Sequence, residues 1–378
     1  MNSSTVLKRR RIVNLIARIG LFSLMFILGT VVVPLMDESE GLAPTDLSGT
    51  LARAMATSAH GDVLYAGLTG GSQPAGVYRS EDNGRTWRLI SYGPGKAINV
   101  LAVHTVSDAV IYAGTVGGPA ATTDSLWRSD DGGQTWHRFT MILPANPDGV
   151  LPAVNALAVD PNQPGVLYVG TDGHGVYRID DDKGRNGYKL VGGLSLYYAH
   201  VNSVVVGPDR RVYALADEGL FVTDGDAWRK LPLPELAVSL AVAPDDSQTL
   251  YAGCVSTGAY RTIDGGQTWE PINNGLDMVP GAALRVTALA VDEESPNHVV
   301  AAIAYGMGGG SVQLVPWGLY ESRDAGHSWT KLAEADGIVM QLTIHRGVIS
   351  AATANGLARY GEPREPLLTK PGYTQLLP

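Results

Sequence analysis

One eight-residue pattern occurs four times and constrains this chain more than any other feature. Ser80-Glu81-Asp82-Asn83-Gly84-Arg85-Thr86-Trp87 returns with the same chemistry at 129–136, 262–269 and 322–329. The shared form is Ser/Thr-x-Asp-x-Gly-x-Thr/Ser-Trp. It reads as a tight turn between two strands. The hydroxyl and carboxylate groups of Ser80, Asp82, Ser129, Asp131, Thr262, Asp264, Ser322 and Asp324 are placed to bond amides inside their own turns. Gly84, Gly133, Gly266 and Gly326 supply a positive φ that a Cβ would resist. Trp87, Trp136, Trp269 and Trp329 then open the next strand and are expected in the core.

These turns sit inside a longer repeat. Each unit opens with an apolar run, at 99–103, 155–159, 202–206, 238–242 and 287–291. A polar turn leads to a second run with a Leu-Tyr-Ala-Gly cast, at 64–67, 111–114, 167–170 and 250–253. A third strand ends in an aromatic–arginine pair: Tyr78-Arg79, Trp127-Arg128, Tyr177-Arg178, Tyr260-Arg261. The arginines are expected to form an outer row with stems packed between units and heads in water. The eight-residue turn and a fourth strand complete the unit. Four antiparallel strands per period of about forty residues predict propeller blades, which bury both faces only by stacking in a ring. Seven units are predicted, beginning near residues 51, 98, 154, 201, 236, 285 and 338. The third and fourth carry decayed turns at 179–184 and 223–228. The last unit shows three strands; its fourth is expected from 366–369, with a strand from the N-terminal linker as the alternative.

The eight-residue pattern is the Asp-box, or BNR repeat, and the chain resembles the β-propeller superfamily that carries it. In blade pattern it is most similar to propellers of the photosystem II assembly-factor type, on Gly175-Val176-Tyr177-Arg178 and the 129–136 box. That resemblance spans about residues 51–360 and implies a non-catalytic role. It is more distantly similar to sialidases and other Asp-box glycoside hydrolases. Sialidases need an arginine triad for the substrate carboxylate, and the long loops identified below contain no arginine, with Arg285 at the edge of one. Sortilin-type sorting receptors share the boxes but add disulfide-bonded modules, whereas Cys254 is the only cysteine here.

Ahead of the repeats, residues 1–11 form a basic segment ending in Lys8-Arg9-Arg10-Arg11. Residues 12–36 read as a membrane anchor: from Ile19 to Met36 the run carries no charge, long enough for a bilayer at roughly 18–20 apolar residues. A cleaved signal peptide is the competing reading. The basic flank puts the N-terminus in the cytoplasm and the rest outside it. Residues 37–50 read as a linker, 51–362 as the propeller and 363–378 as a Pro-rich tail. The net charge is −9, and setting aside the five basic residues of the first 36 leaves the remainder at −14. Such a domain is not expected to bind nucleic acid. No cofactor or metal site is predicted. Asp180-Asp181-Asp182 with Gly184 lacks the later glutamate of a calcium loop.

In an antiparallel meander the boxes share one face with the first turn of each blade. The long insertions at 117–125, 141–153, 192–200, 274–284 and 306–317 all fall on the opposite face, where binding sites on rigid scaffolds concentrate. Tyr197, Tyr198, His200 and Trp317 make two of these insertions aromatic, and His174 follows Asp172 in a short turn on the same face. The expected function is a non-catalytic binding or assembly scaffold for a protein or glycan partner through that face. The alternative is a glycoside hydrolase, for which Asp172, Asp217, Glu218 and Asp277 are the candidate carboxylates.

Overall fold

The computed structural model describes residues 43–362 apart from 59–60, 62, 120–124, 140–142, 144, 146–148, 182–186, 191–198, 225–226 and 308–312. The proposed anchor over 12–36, Tyr197, Tyr198 and the 366–369 segment lie outside that set. Among the described residues no helix is long and apolar enough to cross a membrane.

The chain is all-β. Seven four-stranded antiparallel sheets follow one another, joined by a two-stranded sheet that pairs Gly118–Pro119 with Val150–Leu151. The innermost strands are Thr50–Thr57, Ile98–His104, Val154–Val159, Val201–Val206, Ala237–Val242, Ala283–Asp292 and Val339–His345. Each packs beside the next, and the last packs beside the first, so the ring is closed.

The Leu-Tyr-Ala-Gly run is the second strand of a blade, and both its faces are covered. Residues Val166–Thr171, Val212–Ala216 and Leu250–Cys254 are buried throughout. Its glycine is set by the neighbouring blade. A Cβ on Gly114 would lie 2.5 Å from a methyl of Val154, and one on Gly170 would lie 2.8 Å from a methyl of Val201. The inner strand of the next blade therefore rests directly on this backbone.

The boxes fold as anticipated. In the second blade Ser129 Oγ donates to Asp131 Oδ1 at 2.8 Å and accepts from the Gly133 amide at 2.8 Å. Thr135 donates through its amide at 2.9 Å and its hydroxyl at 2.6 Å to the Asp131 carboxylate. The fourth and fifth positions are both left-handed, with φ of 56° at Asn83 and Ala325 and 79° and 88° at Gly84 and Gly326. Trp87 and Trp329 are buried, while Trp136 and Trp269 only flank the core.

Three expectations are corrected. The last blade takes its outermost strand from the N-terminal side: Ala43 and Pro44 pair with Arg359 and Ala358. Thr45 fastens this strand, donating from its amide at 3.2 Å and its hydroxyl at 3.1 Å to the Leu357 carbonyl, and Leu47 is buried beside Leu357 and Ala352. The propeller thus begins before residue 51. The described residues of the insertion at 306–317, 306–307 and 313–317, are strand. Ser295–Met307 and Gln313–Ser322 run on as a long hairpin, and Leu284 pairs with Tyr305, because the β-branched and aromatic residues there keep the ladder going. The arginine heads are not all in water. Arg261 donates to the Ala325 carbonyl of the next box at 2.8 Å, and Arg359 to the Asn83 carbonyl of the first box at 3.3 Å. Arg128 instead pairs with Asp181 of the decayed third box at 2.5 Å. The box turn presents its fourth carbonyl toward the preceding blade, and a guanidinium takes it.

Candidate functional site

Every innermost strand slips register by one residue near its start. The slips fall between Ile98 and Val100, Val154 and Ala156, Val201 and Ser203, Ala237 and Ser239, Val286 and Ala288, and Val339 and Gln341; in the first blade they flank Ala52. Such bulges re-aim a side chain. The extra residues are Arg53, Asn99, Asn155, Asn202, Val238, Thr287 and Met340. They occupy one equivalent position per blade and all line a central cavity of about 590 Å³. In four blades the following residue then pairs with the motif glycine: Ala54 with Gly67, Val100 with Gly114, Ala156 with Gly170 and Ser239 with Gly253. Sequence reasoning did not pick out this ring. Its signal was the asparagine that precedes the apolar run in three consecutive blades, where alternation breaks.

The ring connects to a polar cluster on the insertion face. Asn202 donates to Asp217 Oδ1 at 3.0 Å. The Asp217 amide donates to the His200 carbonyl at 3.3 Å, and His200 Nδ1 is bonded to Asp172 Oδ1. Asp172 in turn donates its amide to the Ala153 carbonyl at 2.9 Å. The bond to Asp172 raises the His200 pKa above its ordinary value, against a smaller desolvation effect, and the charges of Asp172, Asp217 and Glu218 add to it. Asp172, Asp217, Glu218 and His200 are exposed, and His174 is half-buried in the turn beside Asp172. Five of the predicted residues, Asp172, His174, His200, Asp217 and Glu218, are therefore brought together in the turns and entry strand of the third and fourth blades.

Asp277 belongs elsewhere. Its Oδ2 accepts from Tyr320 OH at 2.6 Å and from Trp317 Nε1 at 3.0 Å, while its carbonyl accepts from Tyr305 OH. The Trp317 ring meets Tyr305 edge-on at 5.1 Å between centroids, and Lys331 Nζ lies 4.6 Å from its centre. The donors Tyr320 and Trp317 hold the Asp277 carboxyl below the ordinary carboxylate range. This is a clasp fastening the 274–284 connection onto the sixth blade, and it uses the Trp317 indole N–H internally. Chemically it is the opposite of a general acid, which needs a raised pKa.

Comparison with known proteins bears on the fold. The family model described as BNR/Asp-box repeat matches residues 127–138. A xyloglucanase of a Paenibacillus species is 34% identical over 113 residues, or 29% of this chain and 10% of that protein. A probable oligoxyloglucan-reducing end-specific xyloglucanase of Neosartorya fischeri is 29% identical over 109 residues, covering 28% of this chain and 13% of that protein. The chain thus spans a small part of the curated relatives it matches. Among solved structures, the GH74 xyloglucanase from Xanthomonas campestris is 17% identical with a TM-score of 0.60, over 84% of this chain and 52% of that one. YCF48 from Cyanidioschyzon merolae is 15% identical with a TM-score of 0.57, over 84% of this chain and 97% of that one; YCF48 has also been solved bound to a D1 peptide. At these identities the likeness is one of fold. Four boxes of one geometry, seven blades and a family match on a well-formed box agree: the chain is a seven-bladed β-propeller that carries the BNR/Asp-box repeat.

Proposed function

We propose that the protein is a membrane-tethered, extracytoplasmic and non-catalytic scaffold that grips a segment of a partner protein on the face opposite its boxes. The observation that carries this reading is the makeup of the channel ring. Its wall offers a guanidinium, amides and a hydroxyl, and no carboxylate among the described residues that line it. Glycoside hydrolysis needs two carboxyl groups across a bond, one of them held protonated. Asp277 is clasped and its pKa lowered, and Asp172 is bonded to an imidazole. The fold shared with YCF48, solved with a peptide, supports a peptide as the partner segment. The tether rests on the uncharged run after Lys8–Arg11.

The glycoside hydrolase reading draws on the local identity with xyloglucanases, with Asp172 and Asp217 as its carboxylates. The deciding experiment incubates the purified protein with xyloglucan oligosaccharides and aryl glycosides. No turnover is expected. Cleavage abolished by Asp172→Asn or Asp217→Asn would overturn the scaffold reading.

A further inference from the structure

We infer that the channel ring is a binding site for a carboxylate carried on an extended peptide, with Arg53 taking the carboxylate and Asn99 and Asn155 taking peptide amides. Arg53 is the one charged residue in the described lining of the cavity; it is exposed to that space, and its side chain has no hydrogen-bond or ion-pair partner among the described residues. An unpaired arginine fork inside a protein wall is matched by a planar carboxylate, which it bonds bidentately.

The neighbouring blades supply the second element. Asn99 and Asn155 stand at the position equivalent to Arg53 on the next two blades, so the three form a continuous arc. Asn99 Nδ2 makes only two long bonds, to the Val154 carbonyl and to Asn155 Oδ1, both at 3.4 Å. Its Oδ1 is buried without a partner. The carboxamide is loosely held, and turned into the cavity its oxygen would find a donor in the N–H one or two residues from a bound carboxylate. Asn202, next in the arc, is already committed to Asp217. Val238 in the fifth blade and Met340 in the last, next to Arg53, make other parts of the ring apolar, suited to small side chains. The cavity volume falls within the usual range for ligand sites, about 300–1,000 Å³.

Charge alone is not enough to fill this site. The chain beyond its first 36 residues carries −14, and Asp172, Asp217 and Glu218 stand on the face through which a ligand enters. A free anion therefore meets a repulsive field. A carboxylate delivered on a neutral peptide brings amide bonds that offset the repulsion. Two sources share this chemistry: a chain terminus and an Asp or Glu side chain.

The inference rests on the scaffold reading for the class of partner, and its test separates the two. The full-length protein in detergent is titrated calorimetrically with an N-acetylated Gly/Ala tetrapeptide bearing a free C-terminal carboxylate, with its C-terminal amide, with an amide-capped version carrying one internal aspartate, and with acetate. One carboxylate peptide should bind at least about ten-fold more tightly than the uncharged amide, as expected for a hydrogen-bonded charge. Whichever carboxylate peptide does so identifies the source. Arg53→Gln should reduce it to the level of the amide, and Asn99→Leu should weaken all the peptides alike. Arg53 is exposed, so Arg53→Gln should keep the native unfolding midpoint, which is measured alongside. Equal binding of acid and amide, acetate binding as tightly as the peptides, or unchanged binding in Arg53→Gln would each overturn the site. Failure of every peptide overturns it too, yet leaves the insertion loops as a scaffold surface. Glycoside cleavage would instead sink the scaffold reading and not the ring.

Discussion

Gln341, in the inner strand of the last blade, bonds both backbone groups of Met55 in the first. Its Oε1 accepts from the Met55 amide at 2.9 Å, and its Nε2 donates to the Met55 carbonyl at 2.7 Å. The side chain thus acts as one more rung of ladder across the seam where the ring closes. Another fastening of the last blade is the Ala43–Pro44 strand.

Gln341→Leu should therefore be costly for a single surface-lining change. It leaves a partly buried N–H and C=O without partners, worth roughly 1–3 kcal/mol together in a wall that water can still reach. Urea unfolding should show a lower midpoint with an unchanged slope. A midpoint within error of the native one would mean that the Gln341 bonds add nothing to the seam.

The box tryptophans should not respond alike. Trp329 is 4% exposed, lies among Ile272, Leu276 and Tyr320, and donates to the Ile272 carbonyl at 2.6 Å. Trp329→Ala should cost roughly 3–5 kcal/mol, as other buried aromatic truncations do. Trp136 only flanks its core and bonds Ser91 Oγ and the Gly133 carbonyl, so Trp136→Ala should cost clearly less. Equal losses in paired denaturation curves would remove the distinction between buried and half-buried boxes.

The blades were legible because their signals are local. A box spans eight residues, and the motif glycine follows its tyrosine by two. The closing strand was not: Ala43–Pro44 is two residues long and has no periodicity to read. The channel ring was hidden for a different reason. A bulge breaks the alternation that tells inward from outward, so Asn99, Asn155 and Asn202 looked like the edge of an apolar run. Asp172 and His200 were both singled out, but 28 residues separate them and only the packing of the third blade on the fourth joins them. Trp317 looked like a free aromatic anchor because its bond to Asp277 crosses 40 residues of sequence.

The boxes should set the acid limit of the fold. Hydrogen bonds from Thr135, first through its side chain and then its amide, hold Asp131 at about 2 against an ordinary 3.8. Ser328 and Ser322 hold Asp324 at about 2 in the same way. A carboxylate whose pKa is lower in the folded state contributes stability that is present above the unfolded value and lost as pH falls through the folded one. Tryptophan fluorescence should thus report weakening that begins below about pH 4 and grows toward pH 2. In Asp131→Asn with Asp324→Asn the native state should be weaker at neutral pH and less dependent on acid. An acid dependence as steep as that of the native protein would show that other groups set the limit.

The His200–Asp172 pair gives the opposite sign on the insertion face. The bond to Asp172 raises the His200 pKa, with the nearby Asp217 and Glu218 charges reinforcing it. A base with a raised folded pKa contributes stability that is complete below its unfolded value of about 6.5 and is lost as pH rises through the folded one. The pair joins the turn after the third blade's second strand to the entry of the fourth, so its loss should loosen this corner and leave the blades intact. The proton resonance of His200 should titrate above the ordinary histidine value, and Asp172→Asn should bring it down. Amides near Gly173 and Asp217, which lean on this corner through bonds to Ala199 and His200, should exchange faster with solvent in the variant at pH 6, while both proteins converge at high pH. A histidine titrating at or below its ordinary value, or a variant whose exchange matches the native protein at pH 6, would remove the pair as a fastening. Asp172 would then be released for the general-base role that the hydrolase reading requires.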